Sequence, residues 1–96
     1  MLVWAVYDIS ADRTRARVAK LCKRVGLHRV QKSVFMGKLE PSAYDELRVE
    51  SAELIDPATD AVYFFELCPR DFDSVVMLGQ RFDKELAGGT KRTLVI

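Results

Sequence analysis

The sequence predicts an α+β fold: a βαββαβ sandwich with two helices on one face of an antiparallel sheet and an extra short strand near the C-terminus. Three observations predict it. Residues 2–7, Leu-Val-Trp-Ala-Val-Tyr, and residues 61–67, Ala-Val-Tyr-Phe-Phe-Glu-Leu, are apolar at nearly every position, the pattern of strands buried on both faces. Residues 13–25 and 41–55 instead carry apolar side chains at helical spacing. Between them, residues 28–39 scatter Val30, Val34, Met36 and Leu39 among polar positions and read as extended chain. Strand, helix, extended hairpin, helix, strand is the ferredoxin-like order. With 96 residues, 49% of them hydrophobic, the chain builds one core and is too short for two, so residues 1–96 form a single domain.

Each element has its own signals. The strand at 2–7 is expected at the centre of the sheet. Ser10 and Asp12 are candidate caps for the first helix, whose Val18, Leu21, Cys22 and Val25 share a face and which Gly26 stops. Residues 28–39 form either one bent strand or two short ones with a tight reversal. Pro41 and Ser42 open the second helix, which buries Tyr44, Leu47, Leu54 and Ile55 and exposes Asp45, Glu46, Glu50 and Glu53 until Asp56-Pro57 ends it. After Pro69 the segment 69–96 is less regular; Val75–Leu78 and Thr93–Ile96 could each be a short strand.

This order leaves one sheet face without helices, although the strands at 2–7 and 61–67 are apolar on both sides. The uncovered face needs a partner. A homodimer packed through its sheet faces is the simplest cover, and the segment from residue 69 folding back over its own sheet is the alternative.

Composition narrows the class. No stretch approaches a membrane span, and the first residues show no basic leader or small-residue cleavage site, so the expectation is a cytoplasmic protein without membrane contact. Cys22 and Cys68 lie in apolar segments without metal-type spacing, which suits structural thiols. The net charge is only +1, but its placement is uneven. Residues 1–40 hold nine Lys or Arg against three acids, and residues 41–96 hold six against eleven. A basic half suggests a polyanionic partner; mutual neutralisation of the halves across the folded surface is the plainer reading. There is no phosphate-binding GxxxxGK[ST], GxGxxG, HExxH, zinc spacing or RNP1 pattern.

Asp8 is the first candidate for chemistry, because it follows an apolar strand directly and must leave the core at the sheet rim, just before a helix. Two such carboxylates near a twofold axis, completed by waters, suit Mg²⁺; otherwise Asp8 is a turn or capping carboxylate. Arg13, Arg17, Lys20 and Arg24 are spaced four, three and four apart and form one stripe on the first helix, able to follow a phosphate backbone or simply to face solvent. Arg15 lies off the stripe, nearer Asp8, within reach of a phosphate. If residues 29–35 form a single strand, Arg29, Gln31, Ser33 and Phe35 share a face suited to phosphates and a stacked base; in the other reading, Phe35 is dimer core. Lys32 joins the nucleic-acid-binding candidates, whereas His28 lacks a nucleophile partner and reads as a surface residue.

Val-Tyr-Asp-Ile-Ser at 6–10, the Arg-rich helix and Arg-Val-Gln-Lys-Ser-Val-Phe at 29–35 together resemble the CRISPR-associated endoribonuclease family, the small second core protein of spacer adaptation. The resemblance is strong over residues 1–40, continues through Asp56-Pro57 and the Asp60–Leu67 strand, and fades after Pro69. It implies a ferredoxin-like homodimer in which Asp8 of each copy holds a divalent ion, Mg²⁺ or Mn²⁺, and acts as the catalytic residue. It also implies cleavage of single-stranded RNA, or of duplex DNA, and the bridging of the spacer integrase around captured DNA. The family's basic, aromatic and hydroxyl positions match Arg15, Arg17, Arg29, Phe35, Ser33 and Tyr7, and its last strand tends to cross to the partner sheet, a role that Thr93–Ile96 could fill. The acidic 69–92 segment, with Asp71, Asp73, Asp83 and Glu85, departs from the pattern. Three other readings stay open: an RNA-cleaving toxin of a toxin–antitoxin pair, a non-catalytic DNA-holding scaffold, and a metabolite-binding regulatory domain.

Overall fold

The computed structural model describes residues 1–76 and 78. Its elements run β1 (Leu2–Asp8), α1 (Asp12–Val25), β2 (His28–Gln31), β3 (Val34–Lys38), α2 (Pro41–Leu54), β4 (Ala61–Leu67) and a short α3 (Pro69–Asp73). The four strands form one antiparallel sheet in the order β2-β3-β1-β4. The apolar β1 is therefore flanked on both sides, as its composition predicts.

Strand alternation divides β1 between two faces. Val3, Ala5 and Tyr7 point toward the helices, where they join Val18, Leu21 and Cys22 of α1, Leu47 of α2 and Phe35 of β3 in the main core. Leu2, Trp4, Val6 and Asp8 alternate with them and belong to the other face. Cross-strand pairing adds Leu67, Phe65, Tyr63 and Ala61 of β4 to that second face, and Met36 and Val34 of β3. Phe72 of α3 packs there on Leu2 and Met36, covering the end of β1 remote from Asp8. The open middle of the face still exposes 57% of Tyr63 and 51% of Phe65. The C-terminal segment thus folds back over one end of its own sheet, and the remainder stays without cover among the described residues.

Several expectations are corrected. Neither Ser10 nor Asp12 caps α1: the N-cap is Ala11, without a side-chain hydrogen bond, and Asp12 lies in the first turn. Of the two readings of 28–39 the two short strands hold, reversing at Lys32-Ser33 with a bulge between Arg29 and Gln31. Residues 29–35 are consequently not a single strand, and the proposed shared face does not exist as such. Arg29 pairs directly with Phe35 on the helix side, whereas Gln31 pairs with Val34 on the open side. In α2, Ser51 is buried with Tyr44 and Leu47, whereas Leu54 is only half-buried at the helix end and Ile55 is the half-buried cap beyond it. Residues 75, 76 and 78 carry no strand, so the expected Val75–Leu78 strand is not seen in its described part, and Thr93–Ile96 lies outside the described residues. Cys22 fits a structural thiol, since burial pushes its pKa up to about 12, but Cys68 is exposed and accepts the Asp71 amide at the start of α3.

Gly26 ends α1 with φ of 115°, a left-handed conformation that suits glycine, and returns its amide to the Cys22 and Lys23 carbonyls. Gly37 serves a different need. A Cβ there would lie 3.1 Å from the Gly26 carbonyl oxygen, so its absence lets β3 approach the end of α1.

Candidate nucleic-acid interface

Asp8 ends β1 at the sheet rim and is exposed, as the abrupt change from apolar strand to carboxylate demands. It opens onto a cleft of about 510 Å³ bordered by the start of α1 and the β2–β3 turn. Of the sequence candidates, Asp8, Arg15, Arg29, Lys32 and Ser33 line this cleft together with Tyr7 and Asp12. The basic side chains come from elements far apart in sequence, and two tethers on Tyr7 hold the turn in place. Its amide donates to the Ser33 carbonyl at 3.0 Å, and its hydroxyl donates to the Lys32 carbonyl at 3.2 Å.

Arg15 is near Asp8, but its guanidinium is engaged. Nη1 donates to the carbonyls of Ile9 at 2.9 Å and Ser10 at 3.1 Å, and Nη2 is ion-paired with Asp12. It fastens the β1–α1 loop while bordering the cleft. The stripe on α1 divides similarly. Arg13, Arg17 and Lys20 are exposed without an ion pair among the described residues, whereas Arg24 reaches Glu50 at 2.8 Å and Glu46 at 3.3 Å on α2. The bond to Glu50 and its charge raise the Arg24 pKa further, so this cation is committed to helix packing rather than to a ligand.

Phe35, expected to contact nucleic acid, is instead buried in the core. It has no exposed surface, its ring stacks on Tyr7 with centroids 6.3 Å apart, and the Arg29 guanidinium sits 5.0 Å above it. A base cannot reach that ring; its role is to seat Arg29 at the cleft through a cation–π contact. Asp12, Ile9 and Asp60 were missed as contributors. Asp60 accepts from the Asp56 amide at 3.0 Å and the Ser10 amide at 3.1 Å, and those bonds hold its carboxyl below the usual range. The Asp56-Pro57 turn was the signal for Asp60: carboxylates in such turns commonly accept backbone amides.

One chain brings two carboxylates to the cleft, and Arg15 occupies Asp12, which leaves Asp8. No group of three or more His, Cys, Asp or Glu able to hold a metal ion occurs among the described residues. A single chain thus offers the cleft one carboxylate not engaged by Arg15, and a divalent ion there would need oxygen donors from beyond that one residue.

A family model described as CRISPR associated protein Cas2 matches residues 1–75. This chain belongs to the Cas2 family. Its similarity to the Archaeoglobus fulgidus protein named CRISPR-associated endoribonuclease Cas2 1 is 37% identity over 78 residues, covering 81% of this chain and 83% of that protein. A Thermotoga maritima Cas2 is 34% identical over 79 residues, covering 82% and 88% respectively. A Thermoproteus tenax Cas1/Cas2 fusion is 32% identical over 81 residues, which cover 84% of this chain and 31% of the fusion. Among solved structures, Streptococcus pyogenes Cas2 superposes with a TM-score of 0.73 at 31% identity, covering 82% of this chain and all of that one. A structure described as a hypothetical protein from Thermus thermophilus gives 0.71 at 33% identity, covering 81% and 89%. The match to Cas2 proteins extends over the sheet, both long helices and the Asp8 cleft. No helix among the described residues is long and apolar enough to cross a membrane.

Proposed function

We propose that this chain acts in CRISPR spacer adaptation in the cytoplasm, as a homodimer that binds nucleic acid and cleaves its phosphodiester bonds with a divalent ion held by the two Asp8 carboxylates. The observation that carries the reading is the placement of Asp8. It is exposed at the end of β1, on the sheet face left open around Tyr63 and Phe65, and at the mouth of a cleft bordered by Arg29 and Lys32. Packing two open faces together sets two Asp8 carboxylates in one layer beside two basic walls.

Asp8 of each copy would hold Mg²⁺ or Mn²⁺. When bound, such an ion polarises the phosphoryl oxygen and lowers the pKa of a water nucleophile. The chain's own part is positioning. Arg29 and Lys32 neutralise the phosphates on either side of the scissile bond, the Ser33 hydroxyl offers a hydrogen bond, and Arg13, Arg17 and Lys20 carry the strand along α1. The names of the A. fulgidus and T. maritima relatives support an endoribonuclease, and the T. tenax fusion supports the spacer integrase, the first core protein of adaptation, as the partner.

The test is cleavage of labelled single-stranded RNA and duplex DNA by wild type and Asp8→Asn, each with Mg²⁺ and with a chelator. Metal-dependent cutting by wild type that Asp8→Asn loses supports the reading. Equal activity, or none, in both proteins leaves a DNA-holding scaffold for the integrase, for which the dimer and the basic surface suffice.

A further inference from the structure

The β1–α1 loop, residues 9–11, joins the candidate Asp8 to the first basic helix, and two side chains of opposite charge hold it from different sides. Arg15 donates to the carbonyls of Ile9 and Ser10. Asp60, fifty residues from Ser10 in sequence, accepts the Ser10 amide through Oδ1 at 3.1 Å. The same carboxylate closes its own turn: Oδ2 accepts the Asp56 amide at 3.0 Å and Oδ1 the Thr59 hydroxyl at 3.1 Å. Asp60 directly precedes Ala61, which pairs with Asp8 across β1 and β4. The residue before Asp8's cross-strand neighbour thus reaches over to the residue two beyond Asp8. That arrangement ties the strand end that carries Asp8 to the start of β4.

We propose that Asp60 is a positioning residue: by accepting the Ser10 amide it locks the β1–α1 loop to the α2–β4 turn and thereby sets where Asp8 stands at the cleft. The proposal rests on the reading of Asp8 as the functional carboxylate. Asp60 itself does not border the cleft, so it acts through the loop and not on the ligand. Its link to Ser10 serves the loop, and its bonds to Asp56 and Thr59 serve the turn. The two roles separate experimentally, because Asp56 closes the same turn independently by accepting the Ala58 amide at 2.9 Å.

The experiment compares wild type, Asp60→Ala, Asp60→Asn and Asp56→Ala by hydrogen exchange over residues 9–11 and by RNA cleavage across a Mg²⁺ titration. Asp60→Ala is expected to speed exchange at the Ser10 amide roughly five- to tenfold, the weight of one hydrogen bond. It should also raise the Mg²⁺ needed for half-maximal cleavage while leaving the KM for RNA unchanged. Asp60→Asn, which keeps one acceptor oxygen, should lie between Asp60→Ala and wild type. Asp56→Ala should loosen the turn at Ala58 and change neither quantity. Unchanged Ser10 exchange in Asp60→Ala, or an Asp56→Ala that reproduces its effects, overturns the proposal and makes Asp60 a turn cap. If wild type and Asp8→Asn are equally inert, the nuclease reading fails by itself, and the exchange result alone decides whether Asp60 holds the loop.

Discussion

The Phe35 ring has no exposed surface, lies against Tyr7 and has the Arg29 guanidinium 5.0 Å from its centroid. An aromatic ring in that position contributes to function only through what it supports. Phe35→Ala removes a fully buried ring from between the sheet and the helices, and such truncations cost about 3–5 kcal/mol. The expected outcome is a large loss in the urea midpoint. Nucleic-acid affinity measured on the remaining folded fraction should fall only as far as Arg29 loses its seat. Phe35→Leu keeps most of the volume and should recover most of the stability, but not the cation–π contact. Asp8 is the opposite kind of residue. It is exposed and ends an apolar strand, so its substitution is expected to leave the fold intact, and loss of metal-dependent cleavage is the outcome its proposed role requires.

At the scale of the element, the cations of α1 divide along its length into exposed ones and a paired one. Its first half presents Arg13 and Arg17 and continues to Lys20, all exposed, whereas Arg24 at its end is paired with Glu46 and Glu50 of α2. The helical spacing alone made these four cations equivalent; the neighbouring helix makes them different. Arg17→Ala is expected to weaken binding to single-stranded RNA and to reduce the slope of log K against log salt by about 1, the value for one lost phosphate contact. Arg24→Ala should leave that slope unchanged and lower the thermal midpoint slightly by loosening α1 from α2. Titration of labelled RNA at several salt concentrations separates the two outcomes. The β2–β3 hairpin shows the same lesson. Its reversal at Lys32-Ser33 turns a single polar-apolar run into two strands, with Lys32 and Ser33 at the tip, tethered through their carbonyls to Tyr7.

For the whole molecule, the sheet has one face closed by α1 and α2 and another that, among the described residues, is closed only at one end, by Phe72 of α3. Exposed aromatic surface at Tyr63 and Phe65, beside Val6 and Val34, favours association through that face. A carboxylate introduced at its centre by Phe65→Glu would have to be desolvated in the dimer but not in the monomer. Sedimentation is therefore expected to give a two-chain mass for wild type and to shift Phe65→Glu toward one chain, with the far-ultraviolet spectrum preserved. A wild type that remains a single chain at high concentration would remove the dimer from the proposed function, and with it the shared ion.

Several features were legible in the order of residues because they depend only on neighbours along the chain. The apolar runs at 2–7 and 61–67, the second interrupted by Glu66, specified strands, the helical period of Val18, Leu21 and Cys22 specified α1, and Pro41 marked the start of α2. The family was legible too, through Val-Tyr-Asp-Ile-Ser and Arg-Val-Gln-Lys-Ser-Val-Phe, and Asp8 stood out as a carboxylate expelled from an apolar strand. Contacts between distant segments decided the rest. Burial of Phe35 follows from the pairing of β3 with β1, the commitment of Arg24 from the packing of α2 on α1, and the engagement of Arg15 from the path of the loop after Asp8. The helical turn at Pro69–Asp73 is stabilised by seating Phe72 against Leu2 and Met36, a site that exists only once the sheet has formed. Local pattern specifies which way a side chain faces along its own strand or helix; only tertiary packing determines whether another segment already occupies the space it faces.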